Sequence, residues 1–150
     1  RFREAHPMRL RSSWLVISIA VGFLSFYLMQ TFPKQTFPLA WIAPILILEP
    51  SLYFFGLPCL LRKMELGDWR LIIAAMSSAL FTGFFWEMWN YYSMPKWFYT
   101  VPYVGFGKIF EMPILGFGGY LPFGIIIVSY TFLVFSIFGG KRMLRAMGFE

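Results

Sequence analysis

Four long apolar runs, set apart by short polar stretches, dominate the chain. The first, WLVISIAVGFLSFYLMQTF over 14–32, holds no charged residue. The second, LAWIAPILILEPSLYFFGLPCLL over 39–61, carries Glu49 and three prolines, Pro44, Pro50 and Pro58. The third is LIIAAMSSALFTGFFWEMW over 71–89, and the fourth is GYLPFGIIIVSYTFLVFSIF over 119–138. A helix needs about 20 mostly apolar residues to cross the hydrocarbon core of a bilayer. The pattern therefore predicts an all-α, polytopic transmembrane bundle of about four spans, with residues 1–150 forming one transmembrane domain. The prolines predict an irregular second span, because each removes a backbone donor and favours a kink. Such breaks are tolerated where protein or a wet cavity satisfies the freed groups.

Charge orients the spans. Arg1, Arg3, Arg9 and Arg11 precede the first run; Arg62, Lys63 and Arg70 separate the second and third; Lys141, Arg142 and Arg145 follow the fourth. Only Lys34, Lys96 and Lys108 fall in the other loops. By the positive-inside rule both ends of the chain face the cytoplasm, and in a bacterial inner membrane the other loops face the periplasm. The tail GGKRMLRAMGFE reads as a basic, amphipathic exit helix at the interface. The net charge of +6 follows from these boundary residues, which attract anionic head groups, so no nucleic-acid partner is implied.

Composition adds class and exclusions. Hydrophobic residues make up 59% of the chain and charged residues 13%, against about 25% charged in soluble domains. A single cysteine, Cys59, and a single histidine, His6, leave no internal disulfide, no cysteine-based zinc or iron–sulfur site and no bis-histidine haem. Cys59 reads as a small buried hydrophobe. A bound lipid, carotenoid or quinone is compatible with this inventory. The first residue is not methionine, so sequence, further spans included, can precede it.

Three acids stand in costly places. Glu49 lies near mid-bilayer, where a charge costs about 2.5–3.5 kcal/mol on an insertion scale. It is expected to be neutral, paired or facing a wet cavity, and the bland alternative is a hydrogen bond to a carbonyl freed by Pro44 or Pro50. Glu87 sits near the outer end of the third run, sharing a helix face with Asn90 and Tyr91, between Trp86 and Trp89 at aromatic-belt depth. It reads either as a snorkelling belt residue or as part of a site for a substrate, pigment or head group. Glu111 follows an outward stretch, NYYSMPKWFYTVPYVGFGKIF, which is too apolar for a free loop. That stretch is expected to lie in the head-group layer or to re-enter the bundle. If it re-enters, Glu111 approaches Glu87, and Lys96 or Lys108 neutralises either acid.

The segments GFFWEMWNYYSMPKWFYTVP and KIFEMPILGFGGYLPF, supported by WIAPILILEPSLYFFG, resemble a family of bacterial polytopic membrane proteins. The shared features are W-E-x-W-N, K-W-x-Y and F-E-M-P. The resemblance covers roughly residues 41–123 and implies fold class but no activity. A fainter similarity is to the small membrane-embedded lycopene cyclases, which place Trp-x-Tyr and Pro-adjacent glutamates at helix ends. Those enzymes carry a paired glutamate, whereas Glu111 is single and precedes Met112 and Pro113.

Two function classes follow. One is an accessory or scaffold subunit of a larger membrane complex, binding other membrane subunits, lipid or an isoprenoid pigment or quinone. Its contact residues are Trp86, Trp89, Asn90, Tyr91, Lys96, Trp97, Phe98, Tyr99 and Lys108. The other is an isoprenoid- or carotenoid-modifying enzyme with Glu87, Glu111 or Glu49 as the acid. Acid-initiated alkene chemistry needs a positioned acid in a dry pocket, with aromatic faces to stabilise the developing cation.

Overall fold

The structure, a computed structural model, describes residues 6–101 and 103–139. The molecule is mainly helical. Helix α1 spans Ser12–Thr31, α2 Pro33–Thr36, α3 Leu39–Phe54, α4 Leu60–Glu65 and α5 Arg70–Tyr92. A two-stranded ribbon follows, β1 Lys108–Ile109 and β2 Met112–Pro113, then α6 Ile114–Phe117 and α7 Tyr120–Phe138. Three helical stretches are long and apolar enough to cross a membrane: α1, α5 and the α6–α7 stretch. The expected exit helix, with Lys141, Arg142 and Arg145, lies outside the described residues, as do Arg1 and Arg3.

The second apolar run departs from the expectation of one span over 39–61. Its helix, α3, has 16 residues and stops at Phe54. Gly56 there adopts φ 69°, a left-handed conformation that costs glycine little. The Gly56 amide donates to the Tyr53 carbonyl at 3.1 Å and the Leu57 amide to the Leu52 carbonyl at 2.9 Å, the paired bonds of a Schellman cap. Pro58 then blocks continuation. Gly67, with φ 74°, closes α4 in the same way, through bonds to Met64 and from Asp68 to Lys63.

Pro50 lies inside α3 and frees the Leu46 carbonyl four residues back. The Ser18 hydroxyl of α1 donates to that carbonyl at 3.0 Å, so the break in one helix becomes a bond between two. Gly22 of α1 faces Ile47 and the Ala43 carbonyl, which brings the two backbones close.

Helix α1 packs on α3, α3 on α7, and α7 on α5. The order α1–α3–α7–α5 is an open row rather than a closed ring. Only 17% of each spanning window is buried within the protein. A compact apolar cluster of Leu52, Cys59, Leu60, Ile72 and Phe132 fills the junction of α3, α4, α5 and α7. The N-terminal segment is fastened over this end. The Met8 amide donates to the Met64 carbonyl, and the Trp69 indole donates to the His6 carbonyl.

Candidate functional site: the outer end of α5

The chain between α5 and α6 folds back onto the last turns of α5, and polar side chains hold it there. Asn90, buried, uses both ends of its amide. Its Oδ1 accepts from the Trp97 amide at 2.9 Å and its Nδ2 donates to the Trp97 carbonyl at 3.0 Å. The side chain thus pairs with one residue of the returning strand as a neighbouring backbone would. Lys96 Nζ lies 2.6 Å from Glu111 Oε1, 4.7 Å from the centre of the Tyr91 ring and 5.2 Å from that of Phe98. This combines an ion pair with cation–π contacts. The ribbon pairs Lys108 with Pro113 and Ile109 with Met112. Its tip places Phe110 against Phe84 and Tyr91 of α5.

Glu87 sits beneath this segment with 0% of its surface exposed. Gly83, one turn earlier, lies against the Tyr120 ring, where an added Cβ would come within 2.6 Å of ring carbons. That close approach lets Tyr120 lie on α5 and donate its hydroxyl to Glu87 Oε1 at 2.7 Å. The Tyr99 hydroxyl donates to the same oxygen, also at 2.7 Å. Trp97 Nε1 in turn donates to the Tyr99 oxygen at 2.7 Å. An indole N–H can only donate, so the chain has one polarity, from Trp97 through Tyr99 to Glu87. Burial, and then the adjacent Glu87, push the Tyr99 hydroxyl up to about 12, while the Trp97 N–H works in the opposite direction. Glu87 Oε2 is buried and has no hydrogen-bond partner.

Glu49 occupies a different setting. It is 3% exposed. The Ser129 hydroxyl of α7 donates to its Oε1 at 2.5 Å, and the Leu61 amide at the start of α4 donates to its Oε2 at 3.0 Å. The anticipated bond to a proline-freed carbonyl is not made: the Leu46 carbonyl is taken by Ser18 instead.

The residues singled out in the sequence divide clearly. Glu87, Asn90, Trp97 and Tyr99 share one connected patch, and Lys96, Tyr91, Phe98 and Glu111 form a second beside it. Asn90 and Glu87 share a helix face as expected but take different partners, and Glu87 is buried rather than snorkelling. Lys96 pairs with Glu111, while the donors to Glu87 are tyrosines. Lys108 is exposed in β1, and Trp86 and Trp89 present more than half their surface outward. Three contributors, Gly83, Tyr120 and Ser129, were not singled out. The one local signal available is for Ser129, a hydroxyl within the fourth apolar run.

Among the described residues, no group of three or more His, Cys, Asp or Glu side chains is placed to hold a metal ion. In comparison with known proteins, the chain matches no family model, no curated protein and no solved structure.

Proposed function

We propose that the chain is an accessory or scaffold subunit of a larger membrane complex, packing laterally against helices of neighbouring subunits. The observation that carries this reading is the open row α1–α3–α7–α5, with 17% of each spanning window buried. Lipid covers such faces readily, but a row this thin leaves its two central helices available for flanking helices. The acids support the same reading. Glu49 and Glu111 are engaged by the protein's own donors, so they act as fasteners, while the outward groups at the rim of α5 are aromatic. In this proposal the resemblance to the bacterial polytopic family holds, α3 is the fourth membrane-embedded helix, and both ends of the chain lie in the cytoplasm of a bacterial cell. Residues 93–101 and 103–113 lie in the outer head-group layer instead of re-entering the bundle.

The test is purification from the native membrane in mild detergent, with mass spectrometry of whatever accompanies the chain. Stoichiometric membrane subunits are expected, their association weakened by Trp86→Ala or Phe98→Ala and kept in Glu111→Gln. A lone chain carrying a prenyl lipid or polyene overturns the reading. It would favour an isoprenoid-modifying enzyme, for which Glu87 is the best-placed acid because one of its oxygens has no hydrogen-bond partner and the Trp86 and Trp97 rings meet at the same end of α5.

A further inference from the structure

Glu87 holds an asymmetry that the fold does not use. Both hydroxyl donors act on Oε1, and the indole upstream of Tyr99 sets the direction of that one. Oε2 is left without a donor although the residue is fully buried. Among the described residues, no lysine, arginine or histidine nitrogen lies within 4.0 Å of this carboxylate. A buried carboxylate with one oxygen lacking a donor and no opposite charge beside it carries an uncompensated desolvation cost. One occupant that donates a hydrogen bond and carries positive charge would satisfy both needs.

We infer that Glu87 Oε2 receives the head group of a membrane lipid that donates a hydrogen bond, with a primary ammonium the best match. Position favours a lipid. Glu87 lies five residues before the end of α5 at Tyr92, about 7.5 Å down the helix axis. Trp86 and Trp89 flank it, exposed at the depth where aromatic belts meet head groups. The Trp86 and Trp97 rings, 5.8 Å apart, offer faces on which a cation is stabilised. The oxygen is closed off in the arrangement seen, so entry requires the returning segment to lift, and the Tyr99 hydroxyl is that segment's bond to Glu87. This inference does not depend on the subunit reading; it holds for a lone chain equally.

The probes are phosphatidylethanolamine, phosphatidylglycerol and phosphatidylcholine with identical acyl chains, added to the purified full chain and scored by native mass spectrometry. The first offers an ammonium, the second hydroxyls, and the third no donor. Ethanolamine lipid is expected to bind about tenfold tighter than choline lipid, the equivalent of one added charge-assisted bond. Glu87→Gln keeps an acceptor for both tyrosines but turns the free end into a donor, and the preference should fall to parity. Glycerol lipid binding as well as ethanolamine lipid would uphold the site and assign it to a neutral donor. Equal binding of all three lipids by the unaltered chain overturns the inference even if the variant fails to fold. Carbodiimide cross-linking of Glu87 to a lysine of a copurifying subunit also overturns it, by assigning the oxygen to a protein partner.

Discussion

Glu49 and Glu87 are both buried in helices, and both accept a hydroxyl from α7, yet they are equipped differently. Glu49 spends one oxygen on Ser129 and the other on the Leu61 amide, tying α3, α4 and α7 with nothing left over. Glu87 takes two hydroxyls on one oxygen and leaves the other bare. Burial alone therefore does not separate a fastener from a site. What separates them is whether each carboxylate oxygen has a partner. Helix α7 links the two regions: Tyr120 serves Glu87, Ser129 serves Glu49, and Gly124 between them sits against the Ala75 backbone of α5.

The broadest way to break the comparison is Gly124→Val. A side chain there meets the Ala75 carbonyl and Ala79, forcing α5 and α7 apart and disturbing both regions together. A loss of about 3 kcal/mol, the upper end of overpacking costs, is expected in detergent unfolding. Next comes Glu49→Ala, which leaves the Leu61 amide without its acceptor, returns the Ser129 hydroxyl to the Ile125 carbonyl alone and opens a cavity. About 2–3 kcal/mol is expected, with Glu49→Gln nearer 1 kcal/mol because one acceptor remains. A smaller pair sharpens the contrast. Ser129→Ala strips Glu49 Oε1 of its only side-chain donor, while Tyr120→Phe leaves Tyr99 on Glu87 Oε1. Single hydrogen bonds between membrane helices average about 0.6 kcal/mol and reach about 1.7. Ser129→Ala should therefore fall near the top of that range and Tyr120→Phe near the bottom; the reverse order in thermal unfolding would undo the assignment of fastener and site.

How much of this was legible in the sequence depends on range. Uninterrupted apolar length marks α1, α5 and α7, because crossing a bilayer is a requirement on composition that any window can read. The end of α3 was less visible, since hydropathy continues through FFGLPCLL while Gly56 reverses the backbone. A positive φ leaves no trace in apolarity. The ribbon at 108–113 was missed because two-residue strands are too short to show alternation. The acids stand out by their cost, and Lys96 and Lys108 are the two lysines the sequence offers to neutralise Glu87 or Glu111. Tyr99 and Tyr120 lie 12 and 33 residues from Glu87, however, and no local pattern announces a pairing that tertiary contact creates. The Asn90 bonds to Trp97 were hidden for the same reason.

The smallest expected effect concerns pH, and it distinguishes the two regions by chemistry. The donors to Glu49 are a serine hydroxyl and an amide, neither of which titrates in the accessible range. Tyr99 does titrate: an unfolded tyrosine gives up its proton near about 10, whereas in the folded chain Tyr99 holds it to about 12, through burial and the neighbouring Glu87. Between those values the folded state binds more protons than the unfolded one, so stability falls as pH rises. The Tyr99 contribution is complete below the lower value and gone above the upper one. The gap in stability between the unaltered chain and Tyr99→Phe should thus close as pH is raised through this window, followed by detergent unfolding. The gap to Ser129→Ala should stay constant over the same range. If both gaps closed together, the alkaline loss would belong to the whole bundle, and the Trp97–Tyr99–Glu87 chain would have no separate energetic identity.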